Sequence, residues 1–344
     1  GCAAPEPPPV HDYVAAVDDV TGLDDRHEAI PHLDETEWVE RYDPQASWAG
    51  YNLVFYLRRV PMLIDMQGRI VHSWPMVRTV GRARLDREGR LTVIGLDDVI
   101  KRYVWEGNLV WAYRLPGADD LPHHDVMLLG NGNTLVLARG MVPDTEYLHE
   151  VDRDGRVVWS WRSVDHLRLH FPDHDFTAPD SVHINSLFEL GENRWFDAGD
   201  ERFRPGNILL SARSLNAIFV VDKPTGEVVW VHSDGLDRQH EAQMVPKGVA
   251  GDGLIALFNN GYDNLSAYRR SDVRLIDPVS GSIEWIYSSP RFFSSVAGIQ
   301  QILPNGNVLI SSSEGGRVFE VTREKKTAWE WIPPFLPMRV HRYR

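Results

Sequence analysis

From residue 51 onward one phrase returns six times: a tight turn, often of the Asp-x-x-Gly kind, followed by a strand that carries a tryptophan after apolar residues. It runs Asp65-Met66-Gln67-Gly68 into Ile70-Val71-His72-Ser73-Trp74, then Trp105-Glu106-Gly107 into Leu109-Val110-Trp111, then Asp152-Arg153-Asp154-Gly155 into Val157-Val158-Trp159. Asp222 to Gly226 leads into Val228-Val229-Trp230, Asp277 to Gly281 into Ile283-Glu284-Trp285, and a degenerate sixth copy, Thr322 to Lys326, into Thr327-Ala328-Trp329. A second phrase lies between these. Leu129-Gly130-Asn131-Gly132-Asn133-Thr134-Leu135 matches Leu303-Pro304-Asn305-Gly306-Asn307-Val308-Leu309, and Asn-Gly is the pair that a two-residue hairpin with positive φ angles demands. Each unit is a four-stranded antiparallel sheet of about 40 to 50 residues, the size of a propeller blade. One such sheet cannot bury both faces, whereas six packed radially can, with the outer-strand tryptophans filling the wedges. The expected fold is all-β, a six-bladed β-propeller over residues 51–334, with seven blades as the alternative if the preceding arm supplies strands.

Outside the repeats the text is different. Residues 1–10, Gly1-Cys2-Ala3-Ala4 running into Pro5-Glu6-Pro7-Pro8-Pro9, read as a tether. The Gly-Cys pair resembles the processed start of a bacterial lipoprotein, which implies membrane attachment through lipid on Cys2 and a periplasmic or cell-envelope location; an ordinary loose tail is the alternative. Residues 11–50 form an acidic arm, expected as short helical pieces such as Glu35 to Arg41 lying on the propeller, and residues 335–344 read as a C-terminal tail.

Charge and cysteine content narrow the partners. Lys and Arg total 36 against 49 Asp and Glu, a net charge of −13, which repels a phosphate backbone, so nucleic acid is not expected as a partner. No stretch nears eighteen consecutive apolar residues. The single cysteine excludes an internal disulfide and a zinc site of paired cysteines.

Three histidine phrases break the repeat where an apolar residue belongs. His123-His124-Asp125-Val126-Met127, His183-Ile184-Asn185-Ser186-Leu187 and His240-Glu241-Ala242-Gln243-Met244 each stand at the start of an inner strand, in three successive blades; the sixth blade has Gly298-Ile299-Gln300-Gln301-Ile302 in that register. Inner strands share one axis, so these imidazoles are expected to converge at the channel mouth. Arg213, at the end of the strand after the His183 strand, returns to the same face with a planar fork of donors suited to an oxyanion. The other histidines, His341 among them, fall in tails, loops or outer strands and receive no role.

Taken together, HHDVMLLGNGNTLVLA (123–138), SVHINSL (181–187), NILLSARSLNAIFVVDKPTGEVVW (207–230), RQHEAQMV (238–245) and QQILPNGNVLISSSEGGRVFEVT (300–322) resemble the bacterial arylsulfotransferase family. The resemblance covers most of residues 51–331 and implies a short, single-propeller member. Such an enzyme moves a sulfuryl group from an aryl sulfate ester to a phenolic acceptor, without a nucleotide donor or a cofactor, through a sulfohistidine. On this resemblance His240 would be the nucleophile, His183 and Arg213 would hold the sulfuryl oxygens, and the His123-His124 pair would supply a further imidazole, the spacing leaving open which of the two points inward. Asn185 would act as a donor and Tyr262 as a substrate contact; Trp195, Phe196, Phe292 and Phe293 are further aromatic residues that could stack a phenol. The loop from Gly191 to Gly206 is an insertion that could reshape the pocket. Two rival functions fit the same residues: a zinc or copper lyase or hydrolase with His124, His183 and His240 as ligands, and a non-catalytic binding module.

Overall fold

The computed structural model describes residues 38–55, 60–80, 82–117, 120–141, 144–262 and 270–344. Cys2, the tether and the arm up to residue 37 lie outside them. Among the described residues six antiparallel sheets form a ring, and helices are few and short. Blades two to six follow chain order. Their inner strands are Ala83–Leu85, Asp120–Leu128, Ile184–Glu189, His240–Met244 and Ile299–Ile302, and their outer strands are Leu109–Arg114, Val157–Arg162, Val228–His232, Ile283–Tyr287 and Thr327–Trp331. The fold is the six-bladed β-propeller that the repeat predicts.

Blade one is built differently. Its strands Tyr51–Phe55, Met62–Ile64 and Ile70–Ser73 are completed on the inside by Met338–Tyr343, so the final residues close the ring and are not a tail. The misreading has a physical source: Arg339, His341 and Arg342 make this strand look solvent-exposed, yet all three are buried against partners from other blades. Arg342 donates through Nε to Asn52 Oδ1 at 2.8 Å, pairs with Glu320 of blade six, and lies 4.7 Å over the Trp329 ring. The arm also departs from expectation. Val39–Tyr42 is a strand that extends blade six along Thr327–Trp331, where an unpaired sheet edge satisfies its backbone, so it neither forms a helix nor begins a seventh blade.

Apolar packing sits between blades. Six buried clusters each draw on two neighbouring sheets; one joins Leu135, Leu137 and Leu148 of blade three to Leu210, Phe219 and Val221 of blade four. The tryptophans fill these wedges as the repeat suggests, and in five blades one of them donates a hydrogen bond to the following blade. Trp74 Nε1 donates to Val104 O, Trp161 to Gly226 O, Trp230 to Pro278 O, Trp285 to Arg323 O and Trp329 to Met66 O, at 2.8 to 3.3 Å. In blade three the residue used is Trp161, two positions beyond the Trp159 of the repeat. An indole N–H so placed satisfies a turn carbonyl while its ring fills the wedge.

Candidate functional site at the channel mouth

The inner strands begin with local strain that aims side chains inward. His124, His183, Glu241 and Arg339 have φ of 57°, 53°, 53° and 46°, in the left-handed region that non-glycine residues rarely occupy. In each of these four blades the inner strand also slips register against its neighbour near that residue, and such a bulge bends the strand and redirects its side chains.

His124 of blade three and His183 of blade four meet, and His240 of blade five lies near enough for its charge to act on His124. The His124 ring lies 4.6 Å from that of His183, centroid to centroid, and 4.7 Å from that of His123. His123 Nδ1 and His124 Nδ1 are 2.5 Å apart, so one ring nitrogen donates to the other. His124 is the member that faces the cluster, since the charges of His183, His240 and Arg339 all act on it. His123 lies toward Glu146, 3.6 Å from its Oε1. Burial, reinforced by these neighbours, holds His124 well below the usual histidine range.

His240 is fixed most completely. Its Nδ1 faces the Arg238 carbonyl at 3.0 Å and Asn260 Oδ1 at 2.7 Å. The Asn260 amide nitrogen donates to Ser294 O and Ala297 O at 2.8 and 2.9 Å, which fixes the amide with its oxygen toward the ring. Two acceptors at Nδ1 require that nitrogen to carry the proton, leaving the lone pair on Nε2. Gln239, just before it, donates to Ser211 Oγ, Ala212 O and Ala217 O of blade four and so anchors the strand start. Burial, then the charge of Arg339, lowers the His240 pKa to about 3, so the imidazole is neutral across the physiological range.

His183 has a carboxylate partner that the sequence reading passed over. Asp180 accepts from His183 Nδ1 at 2.7 Å and lies 3.6 Å from Arg139 and 3.8 Å from Arg213. Burial works against the charge on Asp180, but the His183 bond and the two arginines outweigh it and hold its pKa down. Its one trace in the sequence is its place three residues before His183; in the structure its φ is 57°. Arg213 returns to this face as expected: its backbone N–H donates to His183 O at 2.9 Å and its side chain is buried beside Asp180.

Other expected contacts are placed elsewhere. Asn185 is fully buried, and its amide donates to Gln239 O at 2.9 Å, which ties blade four to blade five. Tyr262 lies on this side, its ring 4.2 Å beneath the Arg238 guanidinium. Phe292 belongs to the core between blades five and six. The 191–206 insertion leaves the far end of the Ile184–Glu189 strand, about 20 Å from His183 at the rise of a strand, and Trp195 there donates to Gly253 O in another far-end turn. Neither Trp195, Phe196 nor the insertion therefore shapes the mouth. Among the described residues no three His, Cys, Asp or Glu side chains form a group that could hold a metal ion.

Beneath the histidines a buried polar layer draws on every blade. Arg82 of blade two donates to Asp125 of blade three at 2.6 and 2.8 Å and to Glu241 of blade five at 2.5 Å; Arg84 also pairs with Asp125. Arg339 and His341 of blade one lie 3.7 Å from Glu241, Arg339 donates to Asn185 O of blade four, and Gln300 of blade six donates to Glu241 O. Burial opposes the charges on Asp125 and Glu241, but the arginines more than compensate and keep both carboxylates ionised. Sequence spacing offered no sign of this layer, because its members pair across the axis and not along the chain.

Comparison with known proteins bears on the fold and the family. Among solved structures, a protein of unknown function from Bacteroides caccae matches with a TM-score of 0.58 at 14% identity, covering 85% of this chain and 100% of its own, which bears on the fold alone. Virginiamycin B lyase from Staphylococcus aureus gives a TM-score of 0.48 at 11% identity, over 86% and 89% of the two chains. No curated protein matches the sequence. Two family models, both described as arylsulfotransferase (ASST), match residues 51–237 and 147–333, and each spans more than half of the chain and reaches His183 and Arg213 of the cluster. By these matches the chain belongs to the arylsulfotransferase family.

Proposed function

We propose that this protein transfers a sulfuryl group from an aryl sulfate ester to a phenol through a covalent sulfohistidine on His240. The observation that carries the reading is the state of His240: neutral, with Nδ1–H committed to Asn260 and Arg238 and a lone pair left on Nε2. Nε2 attacks sulfur, the N–S bond forms as the S–O(aryl) bond breaks, and the phenolate leaves with the electron pair. Throughout, Nδ1 keeps its proton and its partners. The transition state carries charge on its peripheral oxygens, and fixed donors and cations such as Arg213 stabilise it without reorganising. His183 moves the proton. Asp180 accepts from its Nδ1–H and fixes the ring, so Nε2 is placed to give a proton to the departing phenolate and then to take the acceptor phenol's proton. In the second half-reaction the phenol oxygen attacks sulfur and the N–S electrons return to Nε2. His124, kept neutral by burial, contributes an uncharged imidazole beside His183.

The test is intact-mass analysis after mixing the full chain with 4-nitrophenyl sulfate and no acceptor. The expected result is one added sulfuryl group, absent in His240→Ala and discharged by added phenol. A stoichiometric zinc or copper ion in protein purified without added metal, together with no adduct from any aryl sulfate, would replace this reading with the metal-dependent one.

A further inference from the structure

We propose that Arg339, delivered by the closing C-terminal strand, is a second substrate-binding cation, holding a sulfuryl oxygen from the channel floor opposite Arg213. The inference rests on the sulfuryl-transfer reading for the identity of the anion, but its physical basis is independent of it.

Arg339 is buried between the two histidine strands. Its Nη2 donates to the carbonyl of Asn185, two residues after His183, and its Nη1 lies 3.7 Å from Glu241, the residue after His240. Nη1 is buried and has no hydrogen-bond partner among the described residues. Its charge acts on both His124 and His240. Glu241 does not need this cation, because Arg82 already binds it at 2.5 Å and His341 stands at 3.7 Å. Across the layer, Arg82, Arg84 and Arg339 face Asp125 and Glu241, which leaves one guanidinium charge in excess in a buried place. An uncompensated buried cation is costly unless an anion joins it, and burial with repulsion from Arg82 lowers the Arg339 pKa to about 10. Arg339 is the member of the layer whose charge reaches the nucleophile most strongly, and the lone donor it offers matches a sulfuryl oxygen. Its φ of 46° lies in the strained left-handed region, as at His124, His183 and Glu241.

The test uses the full chain and two variants. Arg339→Gly suits the left-handed backbone and leaves Glu241 its Arg82 partner, while Arg339→Lys keeps the charge and loses the fork. Inorganic sulfate binding, measured by titration calorimetry, is expected to weaken about 10- to 100-fold in Arg339→Gly and less in Arg339→Lys, with KM for 4-nitrophenyl sulfate rising in step. Millimolar guanidinium should restore much of the sulfate affinity of Arg339→Gly, which a purely structural role would not predict. If Arg339→Gly does not fold, Arg339→Gln, which removes the charge, replaces it: unchanged sulfate affinity there overturns the proposal. Wild-type affinity and kinetics in Arg339→Gly overturn it, as does a wild-type protein that binds no sulfate. A wild-type protein that binds sulfate through Arg339 but never sulfurylates His240 would sink the transfer reading and leave this assignment standing.

Discussion

Replacing His240 by glutamine, which preserves a neutral polar group of similar reach, should flatten part of the protein's acid sensitivity. The folded ring titrates at about 3 against 6.5 for the unperturbed side chain, because burial and Arg339 disfavour its charge. A base whose pKa is depressed by folding binds more protons when unfolded, so stability falls as pH drops below 6.5 and continues falling until the folded value near 3 is passed. Between pH 7 and pH 4 this single ring therefore costs the fold about 3 kcal/mol. Urea unfolding of both proteins at the two pH values reads the difference directly. Wild type should lose about 3 kcal/mol more than His240→Gln, since the depressed carboxylates Asp125 and Glu241 contribute to both. Sulfuryl-adduct formation should, on the nucleophile's account, stay flat from pH 7 to about pH 4. Equal losses in the two proteins would refute the claim that His240 is held neutral, and with it the basis for its nucleophilicity.

Asp180→Asn removes the carboxylate that orients the His183 ring for proton transfer; transfer from an aryl sulfate with a basic leaving group should slow about 10- to 100-fold, while 4-nitrophenyl sulfate, whose phenolate needs little protonation, should react nearly as before. A uniform loss across leaving groups would count against His183 as the proton carrier. Trp329→Phe deletes the indole donor to Met66 O at 2.8 Å between blades six and one; it should lower stability by about 1 to 3 kcal/mol and leave adduct formation at the wild-type rate.

Legibility differed by kind of interaction. The turn-strand-Trp phrase sufficed for the blades because each blade is a local unit whose hydrogen bonds run between consecutive strands. The same repeat brought His124, His183 and His240 together in prospect, since equivalent positions in a radial array must approach the axis. Arg213 was legible because it stands at the end of the strand that returns antiparallel from the His183 strand to the same face. Asn260 and Asp180 were not, because their value lies in one hydrogen bond each, to His240 and His183, and nothing in an Asn or Asp by itself announces its partner. The 191–206 insertion was misplaced in function because proximity in sequence to His183 ignored the direction of the intervening strand.

By itself the sequence determined a six-bladed propeller and the blades that carry the histidines, because periodic hydrophobicity and turn chemistry act over a few residues and repeat. Only the tertiary structure decided that the last six strand residues seal the first blade and that Arg339 and His341 enter the channel. It also decided that Arg82, Asp125 and Glu241 make a charged floor there. A buried charge is tolerated only where its counter-charge arrives from another blade, and that meeting exists in space before it can be recognised in the chain.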